Sequence, residues 1–493
     1  MLIGVDIGTS GAKAILMTEE GKIVRSHREE YPIKTPHPGW AEQDPGLWLD
    51  KASLCVAKVA AGDAASVKGV AFSGQMHGIV LVDGECRPVR NAIIWADNRS
   101  RTQLEAIEST VGAAELCAVA LNRAASGFGL PSLVWLRDNE PDALDRAACV
   151  LCPKDYVRAR LCAEMGQEAS DASSTCCLDV KNVEWAWDIL RKLKLPEHIF
   201  PPVARSHELA GALTAEGAER CGLPAGTPLY FGGADNGMAG IGSGIVEEGD
   251  IGVNIGTGGQ VGTIASTPYF DAEFRTSTFC HPIAGRWSLF GATLAAGLSL
   301  KWYRETFHRT REFADLDDMA ARAEPGSRDL FFLPYLAGER TPWLDPAARG
   351  VFWGMTLRHG ETEAIRAVLE GVAYALDQSF QLIKAAGVVP RRMLSTGGGA
   401  KSSVWPQIQA DMFGMPVHAV SGGDACVGAA IVAGVGAGMF KDVFEGCRAA
   451  VAPGGKIYEP NPEAQRIYAE RKSFFADLYL KNRELFARIS VMP

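Results

Sequence analysis

Two short segments rich in glycine and threonine, half a chain apart, carry side chains and backbone groups suited to phosphate chemistry. Residues 3–11 read IGVDIGTSG and residues 251–259 read IGVNIGTGG, so seven of nine positions are identical. Each segment has an apolar run typical of a strand, followed by a turn whose N–H groups and hydroxyls can hold a phosphate. Because Asp6 is replaced by Asn254 in the second copy, we expect two halves of similar shape and different chemistry.

Asp6 is the first candidate for a catalytic or metal-binding role. A carboxylate at the end of a buried strand is costly unless it meets a cation or hydrogen-bond donors. Mg²⁺ that is also bound to nucleotide phosphates, with several waters retained, is a natural partner for it. The alternative is that Asp6 only caps the turn, and the duplication of the segment favours the phosphate and metal interpretation.

Residues 232–237, GGADNG, form the second candidate. Small residues around Asp235 allow a ligand to come close to the backbone, and Asn236 places an amide beside the carboxylate. This arrangement suits a general base that takes a proton from a hydroxyl group. The same composition is also typical of an ordinary turn, so the segment alone leaves both interpretations open.

Two further segments place polar and aromatic groups where a small ligand can bind. GQMHG at residues 74–78 lies between two predicted strands, and polar groups at strand ends in α/β folds face the ligand crevice. His77 can hydrogen-bond a sugar hydroxyl there, or it can be a loop histidine with its bonds satisfied locally. WADNR at residues 95–99 can cover a polyol with Trp95, or its Asp and Arg can form a structural pair.

Two other patterns resemble known motifs and are rejected. TGGGAKSS at residues 396–403 lacks the glycine before the lysine of a Walker A loop, although its GGG turn still allows a flat base or ribose to lie against bare backbone. Cys149 and Cys152 have CxxC spacing, but no second pair accompanies them. They are predicted to be packed strand residues, not a zinc or redox site.

The composition limits the class of protein. A chain of 493 residues is too long for one hydrophobic core, and 47% hydrophobic with 22% charged residues is typical of a globular protein. A net charge of −9 argues against nucleic acid as a partner. The chain has no apolar run of about 20 residues, and the Asp6, Lys13 and glycines within residues 1–16 lead us to expect no secretory signal. We therefore expect no membrane partner, a cytoplasmic location, and free thiols for the twelve cysteines.

The elements that must position these residues alternate along the chain, which predicts an α/β fold with parallel or mixed sheets. A glycine-rich stretch at 231–244 predicts a domain boundary near residue 245, giving domains 1–245 and 246–493. Strands are predicted at 2–7, 15–17, 69–73, 79–82, 251–255, 287–290 and 393–396. Helices are predicted at 44–60, 294–307, 364–382, 402–413, 424–435 and, as one helix or a pair, 462–489.

Several of these segments together resemble the sugar kinases of the FGGY family. The start of the chain is shared by many ATPases of the actin-like superfamily, whereas GQMHG and PYLAGERTP are much more specific. The matching stretches run from residue 5 to residue 400: VDIGTS 5–10, GWAEQDP 39–45, GQMHG 74–78, PKDY 153–156, SDA 170–172, GADN 233–236, PYLAGERTP 334–342, LEGV 369–372 and GGGA 397–400.

The resemblance implies two ribonuclease-H-like domains of the actin-like ATPase superfamily on either side of a deep cleft. The first would bind mainly sugar and the second mainly nucleotide. The implied reaction is the ATP- and Mg²⁺-dependent phosphorylation of the C5 hydroxyl of D-xylulose, and a homodimer is a further expectation. The same family includes kinases of ribulose, fuculose, gluconate and glycerol, which remain alternatives. A less favoured alternative is an actin- or Hsp70-like ATPase without a sugar substrate.

The resemblance also implies roles for individual residues. Asp235 corresponds to the catalytic base, and Asp6 to a catalytic residue that holds Mg²⁺ through water. The implied sugar contacts are Met76, His77, Trp95, Asp235 and Asn236. The implied phosphate contacts are Thr9, Ser10 and Lys13, and the implied nucleotide contacts are Gly256, Thr257, Gly297, Gly398, Gly399 and Ser403. The chain departs from many relatives at Gly258, which removes a hydroxyl, and from some members at Ser403, which replaces an amide side chain.

Overall fold

The computed structural model describes residues 1–420, 423–451 and 455–490. The strands of the first half are β1 (Leu2–Ile7), β2 (Gly11–Met17), β3 (Ile23–Glu30), β4 (Glu42–Gln43), β5 (Gly69–Gly74), β6 (Val80–Val82), β7 (Ala92–Ile93), β8 (Cys149–Leu151), β9 (Gln167–Glu168), β10 (Leu178–Asp179), β11 (Glu184–Trp185), β12 (Val203–Ala204), β13 (Leu209–Ala212) and β14 (Pro228–Ala234). Its helices are α1 (Pro45–Ala60), α2 (Arg101–Val111), α3 (Ala113–Ala120), α4 (Gly129–Asn139), α5 (Pro141–Asp145), α6 (Pro153–Cys162), α7 (Ala169–Ser174), α8 (Trp187–Lys192), α9 (Ala215–Cys221) and α10 (Asp235–Gly242).

The second half begins at the next strand. Its strands are β15 (Asp250–Ile255), β16 (Gly259–Ala265), β17 (Ser277–Cys280), β18 (Trp287–Thr293), β19 (Phe331–Leu333), β20 (Val351–Trp353), β21 (Arg392–Gly397), β22 (Val417–Ala419) and β23 (Ile457–Tyr458). Its helices are α11 (Gly297–Phe307), α12 (Phe313–Ala320), α13 (Glu361–Ala385), α14 (Trp405–Phe413), α15 (Ala425–Gly436), α16 (Val443–Ala450) and α17 (Pro462–Ile489).

Each half is built on one mixed sheet, and the two sheets share a plan. The first has the order β13-β14-β5-β1-β2-β3, and the second has β17-β18-β16-β15-β21-β22-β23. In both, the strand of the repeated segment forms an antiparallel hairpin with the next strand, β1 with β2 and β15 with β16. It also pairs in parallel with a later strand, β5 or β21. The predicted mixed α/β fold with two like-built halves is confirmed.

Helices cover the outer faces of both sheets. The helix α1 packs on β2, and it begins with Pro45 in the first turn and the Asp44 side chain accepting from the N–H of Gly46. The long helix α13 packs on β16 and β18. Because its apolar residues point inward along most of its length, it forms the centre of the larger core of the second half.

Two short helices rich in small residues join the halves. The helix α10 contacts α15, and α15 lies on β1 and β5 of the first sheet. A Cβ atom at Gly428 of α15 would lie 2.0 Å from the carbonyl oxygen of Met238, and one at Gly4 would lie 1.9 Å from that of Cys426. This small-residue helix therefore packs closely on its neighbours, and it attaches a helix of the second half to the first sheet.

Most predicted elements are found, with differences at their ends. The helix predicted from residue 294 begins at Gly297, and the helix predicted from 402 begins at Trp405, after a 3₁₀ turn at Gly399–Lys401. The segment 462–489 is one helix. All twelve cysteines are buried and free. Among the described residues, no helix is both long and apolar enough to cross a membrane. The boundary near residue 245 stays a prediction, and it falls between α10 and β15.

Candidate active site

The first repeated segment forms a tight turn between β1 and β2. The N–H of Gly8 donates to the carbonyl oxygen of Gly11 at 3.0 Å, which closes the turn. A Cβ atom at Gly11 would lie 2.4 Å from the carbonyl oxygen of Glu29, so the approach of β3 requires glycine there. The turn thus presents backbone at the end of β1, as the phosphate interpretation requires.

Asp6 lies at this edge with Lys13, its partner on the adjacent strand β2, and with Asp424 from the second half of the chain. The Ser73 hydroxyl donates to its Oδ1 at 2.8 Å. Burial is the main reason that the pKa of Asp6 rises to about 6; the charge of Asp424 adds to the rise, while Ser73 and Lys13 oppose it. Lys13 forms an ion pair with Asp424, whose side chain also accepts from the N–H of Cys426 at the start of α15.

These groups fit a cation that brings most of its own ligands. The described residues contain no group of three or more His, Cys, Asp or Glu side chains able to hold a metal ion. Asp6 and Asp424, however, are close enough for the charge of Asp424 to raise the pKa of Asp6. Mg²⁺ commonly binds proteins through one or two carboxylates, with water and phosphate oxygens completing its octahedron. The donor set at Asp6 is of that kind.

Thr9, Ser10 and Trp95, predicted in different motifs, meet at the turn. The indole Nε1–H of Trp95 donates to Oγ1 of Thr9 at 2.9 Å, and Gln43 donates to the carbonyl oxygen of Thr9 at 2.7 Å. A guanidinium N–H of Arg28 donates to the Ser10 hydroxyl at 3.0 Å. The indole ring of Trp95 is exposed, so one face is available to a ligand. Hydrogen bonds from three side chains outside the turn therefore hold it in place.

The charged residues of the WADNR segment, Asp97 and Arg99, have a structural role. Asp97 and Arg99 form a buried ion pair at 2.8 Å, and the Arg99 guanidinium lies 3.7 Å from the ring centroid of Trp40. The structural interpretation of this pair is therefore the correct one.

Asp235 is the first residue of α10 and follows directly on β14. Burial is the main reason that its pKa rises to about 7, and the charge of Asp6 adds to the rise. The Asn236 amide donates to Oε1 of Gln260 at 2.7 Å, which links the start of α10 to β16 of the second half. Asp235 also borders a cavity of about 410 Å³ between α10 and the inner face of the second sheet.

Met76 and His77 occupy the loop after β5, whose last residue pairs with Ala234, the residue before Asp235. The His77 ring stacks on Phe128, with centroids 3.9 Å apart. Its Nδ1 lies 2.7 Å from the carbonyl oxygen of Ser174, so Nδ1 carries the proton and Nε2 is an acceptor. Burial is the main reason that the pKa of His77 falls to about 4, and the charge of Arg340 adds to the fall. The ring is therefore neutral near pH 7.

Met76 is part of an apolar cluster to which both halves contribute. It packs with Ala234 of the first half and with Phe279 and Phe290 of the second. Met76 therefore contributes to an apolar wall on one side of the cleft, and Nε2 of His77 adds a hydrogen-bond acceptor to that wall.

The predicted nucleotide residues gather at the ends of β15 and β21. The N–H of Gly297 donates to the carbonyl oxygen of Gly256 at 2.9 Å, and the N–H groups of Ala296 and Leu298 each donate to that of Thr257 at 3.0 Å. The second repeated turn is thus tied to the start of α11. A Cβ atom at Gly297 would lie 2.3 Å from the carbonyl oxygen of Gly256, so this contact requires glycine.

The GGG turn lies against the end of β15. A Cβ atom at Gly399 would lie 2.6 Å from that of Ile255, while Gly398 precedes the 3₁₀ turn and is exposed. The backbone N–H of Ser403 donates to Asp317 at 3.2 Å. The structure therefore brings the predicted nucleotide residues to one edge of the second sheet.

Sequence reasoning missed several residues that complete the site. Ser73, Gln260, Arg340 and Asp424 were assigned no role, and all four act on predicted site residues. Arg340 lies within PYLAGERTP, which was given as a family segment, but the sequence did not show that Arg340 lies close enough to His77 to lower its pKa. Lys13 and Asp424 are 411 positions apart, and no local pattern connects them.

Comparison with known proteins identifies the family of the chain. The N-terminal domain model of the FGGY family of carbohydrate kinases matches residues 1–242, and the C-terminal domain model matches residues 252–437. The chain belongs to the FGGY family of carbohydrate kinases. It is therefore a sugar phosphotransferase, and the family resemblance predicted from the sequence is confirmed.

Individual relatives match nearly the whole chain. A xylulose kinase of Staphylococcus epidermidis (strain ATCC 12228) is 34% identical over 99% of this chain and 98% of its own length. The xylulose kinase of Escherichia coli K12 is 35% identical over 99% and 100%. The gluconokinase of Bacillus subtilis 168 is 30% identical over 87% and 86%. Among solved structures, the xylulose kinase of Rhodospirillum rubrum superposes with a TM-score of 0.92, at 28% identity and 99% coverage of both chains.

Proposed function

We propose that this FGGY kinase transfers the γ-phosphoryl group of ATP to the C5 hydroxyl of D-xylulose. The observation that carries the proposal is the placement of a half-buried carboxylate, Asp235, directly after β14, where the ends of β5 and β1 also carry the loop of His77 and the turn at Asp6. The names of the full-length relatives favour xylulose over other polyols. The first domain, 1–245, would supply most sugar contacts, and the second, 246–493, most nucleotide contacts.

In the proposed reaction Asp235 is the general base. Its carboxylate takes the C5 hydroxyl proton while the C5 oxygen attacks the γ-phosphorus in line. The bond from the γ-phosphorus to the bridging oxygen breaks, and its electron pair leaves with ADP. A pKa of about 7 suits this role, because a base works best when its pKa is close to the working pH. The remaining task of the protein is positioning and charge stabilisation.

The other residues hold the two substrates in line. His77 accepts a sugar hydroxyl at Nε2, and Asn236, oriented by Gln260, offers its amide to a second hydroxyl. The turns at Thr9–Ser10 and Thr257 hold the phosphates, and Lys13 lies beside them. Mg²⁺, when bound near Asp6 with the phosphates, neutralises part of the charge that develops on their oxygens. The buried free thiols suit the reducing cytoplasm.

A phosphorylation panel tests the proposal. ADP release would be measured with D-xylulose, ribulose, fuculose, gluconate and glycerol, and the product position would be determined by NMR. We expect the highest kcat/KM for D-xylulose and phosphate on C5. A clear preference for another polyol would overturn the substrate assignment, and ATP hydrolysis that no sugar stimulates would favour a partner-binding ATPase.

A further inference from the structure

The strand that delivers Asp235 is irregular at its end. Tyr230 pairs with Ala71 and Gly233 pairs with Ser73, so two residues of β14 oppose Phe72 alone. Gly232, within this bulge, has φ of +76°, and a Cβ atom there would lie 1.7 Å from the carbonyl oxygen of Phe72. A bulge of this kind redirects the side chains that follow it. The ladder resumes only at Gly233 and Ala234, so the contacts that hold the backbone around the bulge also help to fix the direction of Asp235.

The backbone of the bulge is held by two serines. The N–H of Gly232 donates to the carbonyl oxygen of Ser206 at 2.8 Å. The N–H of Ala234, immediately before Asp235, donates to the hydroxyl oxygen of Ser170 at 2.9 Å. One serine acts through its backbone and the other through its side chain, and this difference allows them to be tested separately.

Both serine hydroxyls end on one buried carboxylate. Ser170 donates to one oxygen of Glu168, and Ser206 donates to the other at 2.7 Å. All three residues are almost completely buried. Because the Ser170 hydroxyl gives its proton to Glu168, its lone pair is aimed at the N–H of Ala234. The carboxylate thus sets the direction of the bond that holds the bulge.

A buried lysine supplies positive charge that this carboxylate shares with two neighbouring acids. Lys154 is fully buried, and its Nζ lies 2.9 Å from Asp155, 3.2 Å from Asp171 and 4.0 Å from Glu168. A Cβ atom at Gly74, the last residue of β5, would lie 2.9 Å from the Cβ of Lys154. The network therefore sits directly below the strand ends that carry the site, and the PKDY and SDA segments both belong to it.

We propose that Ser170 and Glu168 are positioning residues for Asp235, acting through the hydrogen bond from the N–H of Ala234 to the Ser170 hydroxyl. The inference rests on the proposed role of Asp235 as the base. Removal of the Ser170 hydroxyl leaves a buried N–H unpaired and frees the bulge, so Asp235 loses its direction without losing its chemistry.

The test compares Ser170→Ala with Ser206→Ala. Each removes one buried hydroxyl from Glu168, but only Ser170→Ala breaks the bond to Ala234. Because misplacement of a reacting group by about 1 Å can cost about 10²-fold, we expect Ser170→Ala to lower kcat about 10-fold or more with the KM for ATP unchanged. Ser206→Ala should lower the melting temperature similarly and kcat less than about threefold. Ser170→Thr, which keeps the hydroxyl, should retain most of the turnover.

A double mutant separates positioning from general damage. In an Asp235→Asn background, where the base is already lost, Ser170→Ala should lower the residual turnover less than about twofold. The inference would be overturned if Ser170→Ala lowered turnover about 10-fold in the Asp235→Asn background as well. Equal kcat values for Ser170→Ala and Ser206→Ala would also overturn it. If Ser170→Ala does not fold, Glu168→Gln takes its place in the same comparison. Near-normal turnover of Asp235→Asn alone would instead refute the assignment of the base.

Discussion

The negative charge of Asp6 raises the pKa of Asp235, although the two residues are separated by most of the first domain in sequence. The sheet explains this proximity. Asp6 is aligned with Ser73 on β5, and Ala234 is aligned with Gly74 on the other side of the same strand. Since β1, β5 and β14 are parallel, their ends meet at one edge, and the two carboxylates share one cleft.

The raised pKa of Asp235 predicts the pH dependence of the reaction. The base must be ionised, so kcat/KM should increase as the pH rises through about 7 and level off above it. The check is a profile of kcat/KM for the sugar between pH 5 and 9. Asp6→Asn removes the neighbouring charge, so the midpoint of its residual activity should move to lower pH. An unchanged midpoint in that variant would contradict the coupling between the two carboxylates.

Asp235→Asn separates chemistry from stability. We expect kcat to fall roughly 10²–10⁴-fold, as for loss of a general base. A carboxyl with a raised pKa in the folded state favours folding while it is protonated, and this contribution is lost as the pH rises from its ordinary value of 3.8 through about 7. Asparagine stays neutral, so the melting temperature of the variant relative to the parent should increase between pH 5 and pH 8.

A surface substitution provides the control for that stability measurement. Asp188 is highly exposed, and Asp188→Asn removes one carboxylate without changing the cleft. Its melting temperature relative to the parent should stay nearly constant between pH 5 and pH 8. A rise as large as that of Asp235→Asn would assign the effect to net charge and not to the buried carboxyl.

Asp6→Asn makes the two repeated segments more alike and tests their division of labour. Asn254, the counterpart of Asp6, is exposed at the end of β15. We expect Asp6→Asn to lower turnover about 10²-fold or more, because the carboxylate that would hold the cation is lost. ATP affinity, measured by calorimetry without Mg²⁺, should change little. Asn254→Ala is the matched control, and a comparable loss of turnover in that variant would show that the copies do not differ in role.

The sequence predicted those parts of the fold that local patterns encode. The repeated segments showed that the two sheets share a plan, and the helix predicted at 44–60 is α1, one residue shorter at its start. Contacts between distant segments could not be predicted in the same way. The attachment of α15 to β1 and the ion pair of Lys13 with Asp424 join positions more than 400 residues apart. Only the folded chain brings them together.

The site followed the same rule. Asp6, His77 and Asp235 stood out because each lies in a glycine-rich segment, where backbone and ligand can approach closely. Ser170 and Gln260 did not, because a buried serine and a strand glutamine have many ordinary uses. Their importance arises from one hydrogen bond that each makes to the segment carrying the base.

The donor and acceptor roles of the His77 ring can be tested separately by replacing it with asparagine or with glutamine. His77 has φ of +71°, a conformation that asparagine tolerates well. In His77→Asn the amide replaces the Nδ1–H donor to Ser174, but no acceptor reaches the position of Nε2. A buried hydrogen-bonding group of the sugar is then left unpaired, which costs about 1–3 kcal/mol, so the KM for the sugar should rise about 10-fold while the KM for ATP is unchanged. His77→Gln can place an oxygen near the Nε2 position and should lose less.

Because the pKa of His77 is lowered to about 4, sugar affinity of the parent protein should not titrate near pH 6.5, and calorimetry from pH 5.5 to 8 measures this directly. A tenfold change in sugar affinity centred near pH 6.5 would contradict the neutral ring, and equal losses in the two variants would contradict the acceptor role of Nε2.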